Sequence, residues 1–196
     1  RASHLAYHDA LTGLPNRLLL ADRLEHALDG LRREGKPFAV HCIDLDHFKE
    51  INDTYGHGAG DDLVRAVSRL LQERCGPSDT LARLGGDEFA IIQTEATRDT
   101  AQAMAGGIVD VLTSPVDISI GRVFIGCSIG VAIVSESGIE GAECLRQADL
   151  ALYRAKAEGR GCFVFFESDM DAALRTRLEI RDELRVALKA DPVSYT

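Results

Sequence analysis

From residue 17 to 34 apolar side chains recur every three or four positions, with Leu20, Leu24, Ala27, Leu28 and Leu31 along one face. That spacing predicts a helix, and Gly35-Lys36-Pro37 stops it. The period then changes. FAVHCIDL, residues 38–45, is a short apolar run with β-branched members that leads into acids, and it predicts a buried strand. Beyond the glycine-rich YGHGAG, read as a turn, Leu63, Val67, Leu70 and Leu71 predict a second helix over 61–74, broken by Gly76-Pro77-Ser78. Residues 80–84 and 88–93 predict two strands joined in a hairpin at Gly85-Gly86. A third helix is predicted over 97–112, then strands over 116–120 and 122–134, the second broken by Gly126 and Gly130. Leu145, Ala148, Leu152 and Ala155 mark a fourth helix ended near Gly159, and CFVFF is the last strand.

This order, β-α-β-β-α-β with a leading helix and extra β-α elements, predicts an α+β sandwich with one antiparallel sheet. Helices are expected on one face, and the loops are left free for chemistry. From Ser168 onward the chain is charged, with an imperfect stripe of Leu174, Leu178, Leu184 and Leu188. It reads as a connecting helix, the alternative being a surface helix packed on its own domain.

Composition narrows the class of molecule. With 196 residues, 45% of them hydrophobic, one domain can bury a sizeable core. No apolar stretch approaches the roughly 20 residues needed to cross a bilayer, and no signal-peptide pattern is present. A cytoplasmic segment without membrane contact is expected. The formal charge is −9, from 31 acidic and 22 basic residues, which argues against DNA or RNA as partner. A nucleotide substrate stays open, because a divalent metal reconciles clustered carboxylates with phosphate. The five cysteines (Cys42, Cys75, Cys127, Cys144, Cys162) are scattered without a C-x-x-C pair and read as reduced core filler.

Two acidic clusters are candidates for a metal site. Asp44 and Asp46 flank Leu45 at a strand end, where alternation sends both to one face. Asp87-Glu88 follows two glycines at a hairpin tip. If those strands are neighbours, the carboxylates meet at one sheet edge and suit Mg²⁺ or Mn²⁺. Each cluster alone is equally a set of solvated turn residues, and Gly85-Gly86 equally a plain hairpin turn. Lys49, Lys156 and Arg160 are candidate phosphate cations. YGHGAGD fits neither G-x-G-x-x-G nor the P-loop pattern, and no Ser-His-Asp or Cys-His nucleophile arrangement is present.

HDALTGLPNR (8–17), DLDHFKEINDTYGHGAGDDLV (44–64), RLGGDEFAII (83–92) and ADLALYRAKAEGRG (148–161) stand in the order and spacing of the GGDEF family of diguanylate cyclases, which this chain resembles over about residues 5–166. The resemblance implies a ferredoxin-like, nucleotidyl-cyclase palm sandwich with a central, mainly antiparallel five-stranded sheet flanked by helices. It implies condensation of two GTP into cyclic di-GMP across a two-fold homodimer, at least transient, with Mg²⁺ as cofactor and Mn²⁺ as an alternative.

Position by position it implies Asp44, the Leu45 carbonyl, Asp87 and Glu88 at the metal, with Asp87, Glu88 and Lys49 in catalysis. Asn52 and Asp61 would hold guanine, whose ring N–H and amino group a carboxylate can accept. Lys49, Lys156, Arg160 and the backbone amides of His47 and Phe48 would hold phosphate, and Gly85 and Gly86 would let the turn approach the nucleotide.

One departure concerns product inhibition, for which many members carry Arg-x-x-Asp. Asp79 is in place here, but the arginine position is Gly76. Feedback inhibition through that site is expected to be absent or weak. Residues 1–16 resemble the end of an upstream signalling helix plus an opening motif, 17–167 the catalytic domain, and 168–196 a linker toward an EAL phosphodiesterase domain. The competing function is a catalytically silent GTP-binding module that regulates such a phosphodiesterase; an ordinary α+β interaction domain is the third reading.

Overall fold

The structure, a computed structural model, describes residues 6–173, 176 and 180. The chain divides into two compact units, Arg1–Phe166 and Glu167–Thr196. In the second, residues 169–173, 176 and 180 are helical, and the leucine stripe at 174, 178, 184 and 188 lies outside the described residues.

In the first unit α1 (Arg17–Glu34) starts where the Asn16 side chain accepts from the Leu18 and Leu19 amides, and ends at Gly35 in the left-handed conformation. Then follow β1 (Phe38–Asp46), α2 (Phe48–Tyr55), α3 (His57–Gln72), β2 (Thr80–Gly85), β3 (Glu88–Thr94) and α4 (Arg98–Thr113). The chain continues through β4 (Val116–Ile118), β5 (Gly121–Val123), β6 (Gly126–Val134), α5 (Gly141–Ala157) and β7 (Phe163–Phe165). The main sheet has five strands in the order β2-β3-β1-β6-β7, antiparallel except for β6 with β7; β4 and β5 form a separate hairpin.

β1 is central and every one of its nine residues is buried. Its alternate side chains enter two cores. Ala39, Ile43 and Leu45 pack with Leu63 and Val67 of α3 and Ala105 and Ile108 of α4. Phe38, Val40 and Cys42 pack with Leu20, Leu24 and Leu28 of α1 and Ala148 and Leu152 of α5. Helices therefore cover both faces rather than the expected one, which explains why β1 reads as a continuous apolar run.

Two further expectations are corrected. YGHGAG is not a turn throughout: only Gly56, at φ 86°, breaks the chain, between α2, which the apolar pattern did not predict, and α3, which begins at His57. Gly130 does not break its strand, and β6 runs straight through it. The break expected at Gly126 is present, separating β5 from β6 just ahead of that glycine. All five cysteines are free, and burial pushes the Cys127 thiol up to about 12, consistent with packing rather than redox chemistry. No helix among the described residues is long and apolar enough to cross a membrane.

Candidate active site

The chemistry-bearing residues gather where β1 ends beside the β2–β3 hairpin. Asp44 stands in register with Glu88 on β3 and Ser128 on β6, so these three share one face. Gly85 and Gly86, at φ 141° and 50°, fold the hairpin back so that the Asp87 carbonyl accepts from the Leu45 amide at 3.2 Å. This sets the Asp87 carboxyl beside the Asp44 carboxyl, close enough to feel its charge.

Burial first, and the charge of Asp44 second, push Asp87 up to about 6, while Glu88 adds repulsion. On its other side Asp44 accepts from Lys156 Nζ at 2.8 Å, and both groups are largely shielded. Two carboxylates side by side, one of them reluctant to ionise, are what a divalent cation relieves. Among the described residues no three His, Cys, Asp or Glu side chains group closely enough to hold a metal together. A divalent cation here could draw on the Asp44–Asp87 pair, with backbone, water or substrate oxygens completing its shell.

The corner after β1 is strained. His47 has φ 59° and leads directly into α2, so successive amides of the left-handed residue and the helix start form a concavity suited to an anion. Lys49 is exposed on the first turn of α2. Asn52, one turn further, lies against Gly60 together with the Phe48 ring, and its Oδ1 is buried without a partner. Gly60 precedes Asp61, which is exposed on α3. Arg160 sits in the loop after α5 at φ 66°, with a guanidinium nitrogen 3.9 Å from Asp46.

Asp79 and Gly76 are elsewhere. Asp79 Oδ2 accepts from the Gly76 amide at 2.7 Å and Oδ1 from the Thr94 amide at 2.9 Å, so this carboxylate closes a turn and ties it to β3. Arg74 lies against Gly107 of α4.

Arg83 is a residue that the sequence patterns did not single out. It donates to both oxygens of Asp9, at 2.9 and 3.0 Å, and to the Gly86 carbonyl at 2.7 Å, fastening the opening motif to the hairpin. An arginine inside the otherwise apolar TLARL was the available signal. Asp46, by sequence a candidate metal carboxylate beside Asp44, shares the face of Asp44 but is tied to Ser128 and Gly161.

The family model "Diguanylate cyclase, GGDEF domain" matches residues 6–162. The bifunctional diguanylate cyclase/cyclic di-GMP phosphodiesterase MucR of Pseudomonas aeruginosa is 42% identical over 185 residues, 94% of this chain and 27% of that protein. The cyclic di-GMP phosphodiesterase PdeR of Escherichia coli is 37% identical over 187 residues, 95% of this chain and 28% of that protein. The chain thus spans about a quarter of the length of these relatives.

Among solved structures, the GGDEF domain of TpbB (YfiN) from P. aeruginosa superposes with a TM-score of 0.82 at 37% identity, covering 86% of this chain and 99% of that one. The coiled coil and GGDEF domain of DgcB from Caulobacter crescentus, in complex with c-di-GMP, gives a TM-score of 0.77 at 30% identity, covering 84% and 87%.

Proposed function

This chain belongs to the diguanylate cyclase GGDEF-domain family and has its nucleotidyl-cyclase palm fold, and on that premise we propose that it condenses two GTP into cyclic di-GMP, releasing pyrophosphate. The observation that carries the reading is the Asp87 carboxyl set against Asp44, with Lys156 on the same carboxylate. Asp44 and Asp87 would hold Mg²⁺ or Mn²⁺, with the Leu45 carbonyl and Glu88 as further candidates. Such an ion, when bound, acidifies the attacking hydroxyl and offsets charge on the α-phosphate.

The chain's own residues bind, orient and move a proton. Asn52 and Asp61 take the guanine edge. Lys49, Lys156, Arg160 and the amides of His47 and Phe48 take the β and γ phosphates, and Gly85 and Gly86 let the hairpin lie close to the nucleotide. Asp87 accepts the proton of the 3′-hydroxyl. The 3′-oxygen forms a bond to the α-phosphorus of the second GTP as the bond to pyrophosphate breaks. A second such transfer closes the ring. Positioning and preorganised charge supply most of the acceleration. Each subunit brings one GTP, so the working unit is a two-fold dimer.

A second reading, a silent GTP-binding regulator of an attached phosphodiesterase, is favoured by the likeness to PdeR. One experiment separates the two. The purified domain is incubated with GTP and Mg²⁺ or Mn²⁺ at several protein concentrations, and products are resolved by chromatography. Cyclic di-GMP should form at a rate rising more steeply than protein concentration, and Asp87→Ala should abolish it. GTP bound without product would support the regulator; no GTP bound would overturn both. Because Asp79 is consumed by Gly76 and Thr94, added product should leave the initial rate unchanged at sub-micromolar concentration. Product inhibition in that range that persists in Asp79→Ala would place the inhibitory site elsewhere.

A further inference from the structure

We propose that Asp46 is a positioning residue for Arg160, setting the loop that delivers this cation to the nucleotide's phosphates; the inference rests on the GTP reading above. Asp46 is the last residue of β1 and only 4% exposed. A carboxylate so buried must be partnered. Oδ1 accepts from the Ser128 hydroxyl at 2.7 Å, and Oδ2 accepts from the Gly161 amide at 2.9 Å. Both oxygens are thus committed, and Asp46 differs from its neighbour Asp44, which faces Asp87 and Lys156. Gly126, directly across the β1–β6 ladder, leaves the space this carboxylate occupies: a Cβ there would stand 3.2 Å from Oδ2.

What Asp46 holds is an improbable loop. Gly159, Arg160 and Gly161 have φ of 119°, 66° and 61°, three successive residues in a region that side chains avoid. For Arg160 this conformation survives only if its surroundings over-determine it. They do so from both sides: its own amide donates to the Ala155 carbonyl at 3.1 Å, and the next amide is the one Asp46 accepts. The guanidinium lies 3.9 Å from Asp46 Oδ1 and is 43% exposed, so it is drawn in loosely and keeps donors free. Asp44–Lys156 and Asp46–Arg160 then stand as two carboxylate–cation pairs on one face of β1. The first pair includes a carboxylate proposed to touch metal; the second is a device for aiming a cation.

The test is a double-mutant cycle of Asp46→Asn and Arg160→Ala, read by initial rates and by calorimetric binding of GTP and of pyrophosphate. Asparagine keeps the shape but loses the charge and one acceptor. Asp46→Asn should raise KM and the GTP dissociation constant about tenfold with kcat little changed. In the Arg160→Ala background the same substitution should add nothing. Should Asp46→Asn fail to fold, Ser128→Ala removes one donor from the carboxylate and should give a smaller rise in KM, again lost without Arg160. Multiplicative effects would overturn the assignment and leave Asp46 a structural residue. A fall in kcat with altered metal dependence would overturn it in favour of a metal ligand. If Arg160→Ala weakened binding and Asp46→Asn did not, this assignment alone would fail. If the unmodified chain bound neither GTP nor pyrophosphate, the GTP reading would fail with it.

Discussion

Asn52 faces a glycine because nothing larger fits. Any Cβ at position 60 would overlap its amide, and the Phe48 ring closes the same space. The obstruction is the far end of a flexible side chain, so the fold can yield at little cost while the amide cannot keep its place. Gly60→Ala should therefore raise the KM for GTP about tenfold, the worth of one or two hydrogen bonds, and shift the melting temperature little. A loss of stability matching the loss of binding would show instead that Gly60 serves the fold. Residue roles of this kind were poorly legible in the sequence. Alternation correctly placed Asp44 and Asp46 on one face, but it could not tell the carboxylate facing Asp87 from the one tied to Ser128 and Gly161. Asn52 and Asp61 are indicated by resemblance alone, because no spacing rule joins α2 and α3, while Lys156 and Arg160 stand out only as cations that could equally be solvated.

At the scale of elements, the apolar period gave α1, the β2–β3 hairpin and α4 nearly to their ends. It failed where glycine has a tertiary reason to be present. YGHGAG lowers helix propensity, yet two of its glycines are helical because α2 and α3 pack across Gly60. Gly130 misled in the opposite sense. It was read as a strand break, and it is where α5 rests on β6, since a Cβ there would overlap the backbone at Ala148 and Leu152. Backbone cannot step aside as the Asn52 amide can. Gly130→Ala should cost about 3 kcal/mol, the upper end for an overpacked core, and lower the melting temperature by roughly 10 °C. A change under about 2 °C would mean that α5 can slide on the sheet without penalty.

For the molecule as a whole, the buried histidine at the middle of the sheet governs how stability responds to acid. His41 is fully buried on β1, with Nε2 2.9 Å from Gln93 Oε1 and Nδ1 without a partner. Burial holds it at about 4 against an ordinary 6.5, although Gln93 and the charge of Asp79 pull upward. Since the folded value is depressed, the neutral ring's contribution is complete above 6.5 and is lost as pH falls toward 4, because only the unfolded chain takes up the proton. That difference amounts to about 3 kcal/mol. Asp87, raised rather than lowered, acts with the opposite sign over much of the same range and flattens the curve of the unmodified chain. The Asp9 carboxyl, held below its usual value against the cost of burial by Thr12 and Arg83, is lost only at lower pH. The readout that isolates His41 is consequently a difference. Urea unfolding of the metal-free chain and of His41→Phe should be compared at each pH. The stability of the unmodified chain relative to the variant should shrink by about 3 kcal/mol between roughly pH 6.5 and 4. A difference constant across that range would mean that the folded protein protonates His41 as readily as the unfolded one, and that the sheet admits water at its centre.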